Sequence, residues 1–451
     1  MAMIGTLVAI GTIVIIMGET FSLSAKISSK EAIISYFTGE MILYSSRSKE
    51  KPSPFAFTTP LPVITNVQKI QRWLDKNPLV DCHVAITQNY GLLSIDKQGK
   101  KSDLPFFFYA VDPMRYRGVF PNISMVKGTF FTADGSGRAS GVVISKFQAE
   151  NFVKNYSINL APGDRVTLLS LTDGGAVNAV ASRIIGVYDP KHYKNVFNYI
   201  NFIDIESYSR LYNFTGVDSA SLPSSYNTAL ASSSDEDIFN LNRQADFGAL
   251  ETSALVSTEL SGYTQIAVKL KRHQDARLFA EGVAKEGFQV KIASWKEASS
   301  FFANVADIIQ AIIYAATFLI FLIVVFILMN TLIISVLERT AEVGTLRALG
   351  GEKGFITSIF IGEALLLNGC AAFIGMIVSI IVILAIRASG GLPLPDIMAQ
   401  YLMGGGDLKI IFSARPFIEA FVLILGVSVL ATIYPVRVAT AITPLKAMTG
   451  K

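Results

Sequence analysis

Four long apolar runs, almost free of charge, set the strongest limit on what this chain can become: Met1–Gly18, Ile308–Val336, Phe355–Ile386 (broken only by Glu363) and Phe417–Tyr434 (broken only by Glu419). A hydrocarbon core about 30 Å thick takes about 20 apolar residues to cross as a helix, because lipid offers the backbone no hydrogen-bond partner and a helix satisfies its own groups. The second and third runs exceed that length; the first and fourth reach it. A buried core helix is the alternative for those two. The first run also has a signal-peptide alternative, since Ser22, Ser24 and Ala25 follow it, but no Lys or Arg precedes it as a signal n-region requires. The expectation is an α-helical membrane protein with four transmembrane helices: residues 1–18, 308–336, 355–386 and 417–434.

Charge is distributed to match. The whole chain is 16% charged, against roughly 25% in soluble proteins, yet residues 19–307 carry charge at close to the soluble level. That segment reads as a large water-exposed α+β domain inserted between helices 1 and 2. Four crossings put both termini on one side with the loop 337–354, leaving the domain and the loop 387–416 on the other and 435–451 as a tail. Basic residues do not choose the sides: Arg339, Arg347, Lys353, Arg437, Lys446 and Lys451 oppose Lys26, Lys30, Arg387, Lys409 and Arg415. A net charge of +4 excludes a nucleic-acid partner. Two cysteines, Cys82 and Cys370, provide neither a disulfide framework nor a zinc site.

Within the domain, Met41–Tyr44 reads as a strand, Val67, Ile70, Trp73 and Leu74 as one helical face, and Val80–Ile86 as an alternating strand. The far end repeats this plan. Thr264–Leu270 alternates, Ala276, Phe279, Ala280 and Val283 make a helical stripe closed by Gly287, and Phe288, Val290 and Ile292 alternate again. Residues about 39–90 and 262–300 are therefore expected to form one α/β subdomain, and about 105–260 a β-rich second lobe. That lobe is marked by Gly141–Ser145, the Pro162-Gly163-Asp164 turn before Arg165–Leu169, and Arg183–Tyr188. The Ser- and Ala-rich stretch 216–234 reads as a mobile loop.

Recognisable catalytic patterns are missing. No GxxxxGK[ST], GxSxG or HExxH occurs, and His83, His192 and His273 are far apart in the chain. Gly135-Ser136-Gly137 and Gly404-Gly405-Gly406 read as turns, and Asp235-Glu236-Asp237 as a solvated helix start without the ligand spacing of a calcium loop. No catalytic residue, cofactor or metal is expected.

The loop after the second run carries most of the remaining information. Read as a helix, Leu337–Leu349 places Val343, Leu346 and Leu349 on one stripe and Glu338, Arg339, Glu342 and Arg347 on others. Such a helix suits a docking knob, with the stripe filling a groove on a partner and the charges setting register; an interfacial helix lying on lipid headgroups is the alternative. Glu363 lies about 13 Å along a helix from Gly354 and has to be hydrated or paired, for example across a dimer. Asn330 in the second run is a candidate for an interhelical hydrogen bond.

The run Leu337-Glu338-Arg339-Thr340-Ala341-Glu342-Val343-Gly344-Thr345-Leu346-Arg347-Ala348-Leu349-Gly350 resembles the ERxxExGxLRAxG signature of FtsX-like permeases, which include MacB-type exporters and the lipoprotein-releasing Lol permeases. The tail, Tyr434-Pro435-Val436-Arg437-Val438-Ala439 through Ile442-Thr443-Pro444-Leu445-Lys446-Ala447, is similar to the family's closing pattern. Ser294-Trp295, Asn330 and the long 387–416 loop resemble the Lol branch most. Two positions depart: no basic segment precedes the first run, and Val438 stands where a second Arg is common.

The resemblance implies a MacB-like periplasmic core domain and a multi-pass permease in the bacterial inner membrane with its large domain on the periplasmic side. It implies a pair of permeases, two copies or two different chains, bound beneath by a dimer of ATP-binding subunits. Glu338, Arg339, Glu342 and Arg347, with Val343, Leu346 and Leu349, would hold that partner; Gly344 would let it approach and Gly350 would end the helix. The cargo would be a lipoprotein or other amphipathic molecule drawn from the membrane lipid. Regulation of cell-wall hydrolases, as by FtsX itself, and a membrane-anchored enzyme are the alternative functions.

Overall fold

The computed structural model describes residues 2–54, 57, 61–97, 100–131, 140–171, 177–212, 215–217, 257–259 and 262–441. In chain order its elements are α1 (Ala2–Ile33, continued by a π-helical turn to Thr38), β1 (Met41–Ser45), α2 (Val67–Lys76), β2 (Val80–Lys97), β3 (Lys100–Val111), α3 (Tyr116–Val119), β4 (Ile123–Gly128), β5 (Val142–Ser145), α4 (Lys146–Tyr156), β6 (Arg165–Leu171), β7 (Val177–Pro190), α5 (Lys194–Phe197), β8 (Ile200–Asp204), α6 (Ile205–Leu211), β9 (Thr215–Val217), β10 (Ser257–Glu259), β11 (Gln265–Leu270), α7 (Ala276–Lys285), β12 (Val290–Ser294), α8 (Trp295–Ala298), α9 (Ser300–Glu338), α10 (Thr340–Ala348), α11 (Lys353–Ala388), α12 (Asp396–Met403) and α13 (Arg415–Ala441). They divide into two compact units: residues 30–303 with 403–405, and residues 1–29, 304–402 and 406–451.

In the first of these, β2 is the organising strand. Its 18 residues pair with β11 over Val80–Ile86, with β3 over Ile86–Lys97, and with β6 over Leu92–Ser94 on the edge that β11 has vacated. The sheet runs β12-β1-β11-β2-β3-β8-β5-β7-β4, and β6 joins β7 back to β2. Strands β2, β3, β8, β5, β7 and β6 therefore close into a ring. The handover occurs at Gly91, where an added Cβ would lie 2.6 Å from the Leu169 carbonyl oxygen. Only glycine permits that approach of two backbones.

The α/β subdomain and the β-rich lobe expected from the sequence thus share one continuous sheet. The alternation of Cys82, Val84 and Ile86 ends the expected strand at Ile86; the structure carries the strand on to Lys97, with Leu93 and Ile95 buried. Two apolar cores lie along it. One packs α2 and α7 through Ile70, Leu74 and Phe279 against Leu43, Ile266 and Val268. The other, Phe106, Phe108, Ile144, Leu168, Ile184 and Ile203 among others, is lined by the ring strands and packs against α4 and α6, so the second lobe is not purely β. Ser145 caps α4 by accepting from the Gln148 N–H, and Asp204 caps α6 by accepting from the Ser207 N–H, each worth about 1 kcal/mol.

In the other unit the helices outrun the apolar sequence. Helix α1 continues past Gly18 to Ile33, α9 starts at Ser300 and α13 passes Tyr434 to Ala441, because a helix closes its own hydrogen bonds whether or not its side chains are apolar. Among the described residues four helical segments are long and apolar enough to cross a membrane: Gly5–Thr38, Gln310–Ile327, Lys353–Ala388 and Arg415–Ile433. Small side chains let these helices approach closely: at Gly375 of α11 a Cβ would lie 2.7 Å from the Ala9 carbonyl oxygen of α1, and Ala420, Ser428 and Ala431 are buried on α13.

Candidate functional site

The helix after the second apolar run does not begin where the sequence places it. Helix α9 runs on through Leu337 and Glu338, and the chain breaks at Arg339 (φ −101°, ψ 15°) before α10 starts at Thr340. The break coincides with a change of partner for the Arg339 side chain. Its Nε donates to Glu342 Oε2 at 2.9 Å, and its Nη1 donates to both carboxylate oxygens of Glu363, at 2.9 and 2.8 Å. The guanidinium also lies 6.0 Å from the centre of the Phe360 ring. Glu363, a candidate above for a contact across a dimer, is thus paired within its own chain. Arg339 ties the start of α10 to α11.

The expected apolar stripe also divides. Val343 is 2% exposed, while Leu346 is 39% and Leu349 82% exposed. At 100° per residue Glu342, Leu346 and Leu349 fall within about 60° of one another, and Val343 lies about 100° round from Glu342, so that Leu346 stands between the covered and the open side. Helix α10 packs against α11 and α13, and Arg347 is half-buried. Gly344 is buried. The far end closes in a Schellman turn: Gly350 (φ +94°) donates to the Arg347 carbonyl at 3.1 Å and Gly351 to the Leu346 carbonyl at 2.9 Å. The outcome is a short helix fixed at both ends with Glu342, Leu346 and Leu349 exposed, next to Glu338 exposed at the end of α9.

Asn330 is exposed on α9. The polar contact between apolar helices is made by a residue the sequence reading passed over: Asn368 Nδ2 of α11 donates to Ser428 Oγ of α13 at 2.9 Å, and both residues are buried. Asn368 sits deep in an apolar run broken by charge only at Glu363, and that setting was the available signal. Of the tail motif, Val436 is buried beside Phe360; Ile442–Ala447, together with Gly135-Ser136-Gly137, Asp235-Glu236-Asp237 and most of the 216–234 stretch, lies outside the described residues.

No cluster of three metal-ligating side chains occurs among the described residues. The three histidines have separate partners: His192 stacks on Tyr36 at 4.4 Å, His273 Nδ1 lies 2.8 Å from Glu40 Oε1, and His83 Nε2 lies 2.9 Å from Asp75 Oδ1 and 2.8 Å from Arg115 Nη1. Burial, with the Arg115 charge adding to it, holds the His83 pKa below its usual value. Hydrogen bonds from Arg115 hold Asp75 at about 2, so Asp75 stays ionised well into acid. A histidine kept neutral by the fold contributes stability that is lost as pH falls below its unfolded pKa, about 6.5. Between pH 7.5 and 5 the melting temperature is therefore expected to drop more steeply for the native chain than for His83→Gln. Parallel profiles would contradict this.

Residues 314–444 match the FtsX-like permease C-terminal region and residues 1–285 match the MacB-like periplasmic core domain. The chain belongs to the MacB/FtsX-type family of ABC transporter permeases. The helix break, α10 and its Schellman turn all lie inside the permease match. The ABC transporter permease YtrF of Bacillus subtilis (strain 168) is 32% identical over 123 residues, covering 26% of this chain and 27% of YtrF; the match spans about a quarter of that relative's length. Two solved structures are also similar. The periplasmic region of MacB from Actinobacillus actinomycetemcomitans matches at 12% identity and a TM-score of 0.30, covering 57% of this chain and 88% of that one. The extracellular domain of the noncanonic ABC-type transporter YknZ from Gram-positive bacteria matches at 14% and 0.29, covering 56% and 99%. The family is one of generally non-catalytic membrane permeases and implies an ATP-binding partner.

Proposed function

We propose that the chain is the force-transmitting membrane subunit of an ABC transporter, with four membrane spans and the 19–307 domain inserted between the first two on the periplasmic side of the inner membrane. The observation that carries this reading is α10: a knob fixed by Arg339–Glu363 and by a glycine turn, with Leu346 and Leu349 exposed, at the end of a helix 39 residues long. A helix of that length reaches about 58 Å. A dimer of ATP-binding subunits seated on α10 and closing on nucleotide would push along α9 toward the domain. Two permeases, of one kind or two, would share the ATP-binding dimer. Four spans per chain leave little material for a pore, and the domain is the larger part of the protein, so the work is done outside the membrane. A lipoprotein or another amphipathic cargo extracted from the lipid fits that arrangement.

The test is sidedness. Single cysteines at Leu349 and Val177, both exposed, are introduced with Cys370 replaced by alanine. Burial lifts the Cys82 thiol to about 11, so it stays protonated and unreactive. A membrane-impermeant maleimide added to intact spheroplasts is expected to label position 177 and to reach 349 only after permeabilisation. Labelling of both positions from the same side would remove the basis of the proposal.

A further inference from the structure

A groove of about 1110 Å³ in the domain is lined by residues of β2, β3, β6, β7 and α6. Arg165 of β6 and Arg183 of β7 stand directly opposite one another in the antiparallel ladder. Side chains so placed have Cβ atoms about 5 Å apart, and like charges there repel. Both guanidiniums are exposed and neither makes a hydrogen bond or ion pair with a described residue.

The acidic side chains of the groove do not relieve this repulsion. Asp204 is buried and accepts from the Gly141 N–H at 3.0 Å and from the Ser207 N–H and hydroxyl at 2.8 and 2.7 Å. Glu206 pairs with Arg210 at 3.8 Å. Asp96, opposite Lys101 on β3, lies two residues beyond the Ser94–Thr167 pair on the Arg165 side and makes no ion pair with Arg165. Asp103, opposite Ser94, is separated from β7 by β2 and β6. Among the described residues no carboxylate makes an ion pair with Arg165 or Arg183. Hydroxyl donors share the face of the two arginines, because Thr167 is two residues along β6 and Ser94 is opposite Thr167.

We propose that Arg165 and Arg183 form a subsite for a phosphate group, with Thr167 and Ser94 as neighbouring donors. Two guanidiniums carried at facing positions of adjacent strands suit an anion that offers acceptors in two directions. A tetrahedral phosphate does so, whereas the two coplanar oxygens of a carboxylate are used up by a single guanidinium fork. The phosphate is that of a lipid headgroup or a free anion.

The full chain in phosphate-free maltoside micelles is titrated calorimetrically with inorganic phosphate and with dihexanoyl phosphatidylglycerol below its critical micelle concentration. Binding of either probe is expected to weaken by about tenfold or more for each guanidinium removed in Arg165→Gln and Arg183→Gln. Arg210→Gln, whose native partner is Glu206, is expected to stay within about twofold. Binding of inorganic phosphate that competes with the lipid assigns a free anion; binding of the lipid alone assigns a headgroup. Absence of binding to both probes, equal binding by the Arg165→Gln/Arg183→Gln chain, or capture only of a hexaglutamate peptide overturns the proposal. Without probe, Arg183→Gln is expected to leave the melting temperature unchanged or raise it by relieving repulsion. A fall would show that Arg183 is already partnered and would overturn the proposal as well.

Discussion

A chain carrying Leu346→Asp with Leu349→Asp is expected to lose its ATP-binding partner when the two are co-expressed and purified through a tag on the permease. Leu349, at the end of α10, is 82% exposed and Leu346 39%, so the substitutions alter what α10 offers without emptying a buried site. Central apolar anchors at protein interfaces are worth about 2 kcal/mol or more each, roughly 30-fold in affinity. Aspartate goes further than truncation, because it would place a charge in a desolvated contact already flanked by Glu338 and Glu342. Losing both anchors should weaken binding by several hundredfold or more. Arg347→Glu with Leu346→Asp probes the same helix, but Arg347 is half-buried, so that pair mixes docking with packing. Native amounts of bound ATP-binding subunit in the double aspartate chain would show that α10 is not the docking surface.

Phe202→Ala is expected to destabilise the domain by about 3–5 kcal/mol, the usual cost of emptying a buried aromatic site. Phe202 on β8 is fully buried, and its ring meets Tyr116 at 5.0 Å, Tyr188 at 5.2 Å, Phe130 at 5.4 Å and Tyr109 at 6.1 Å. Four rings around one leave no flexible side chain to collapse into the space. The Tyr188 hydroxyl is already engaged, 2.7 Å from the Phe197 carbonyl and 2.8 Å from that of Ile200. Chemical unfolding of the full chain followed by near-UV circular dichroism measures the loss, with half-exposed Tyr199→Ala as a control expected within about 0.5 kcal/mol. A loss below about 1 kcal/mol for Phe202→Ala would mean that the aromatic cluster repacks.

The parts of this protein legible in the sequence were those set by near neighbours. The apolar runs Ile308–Val336 and Phe355–Ile386, the second broken only by Glu363, reveal helices because composition over about 20 residues is itself what makes a helix long and apolar enough to cross a membrane. The period of Val67, Ile70 and Leu74 exposes a buried helical face in the same way, and Gly350 announces a helix end because a left-handed residue is needed there.

Tertiary structure decided what depends on residues far apart in the chain. Nothing local to Glu363 says that Arg339 will reach it, and nothing in the spacing of Val343, Leu346 and Leu349 says which of them α11 and α13 will cover. Asn368 reaches Ser428 of another helix while Asn330 is exposed, since only packing tells which face of an apolar helix meets another. Strand β6 closes the ring, and Arg165 comes to face Arg183, through pairings that no periodicity encodes. Periodicity reports which side of an element avoids water. Which other element takes that side is settled by chain-wide packing, and there α10 and the arginine pair acquire their surroundings.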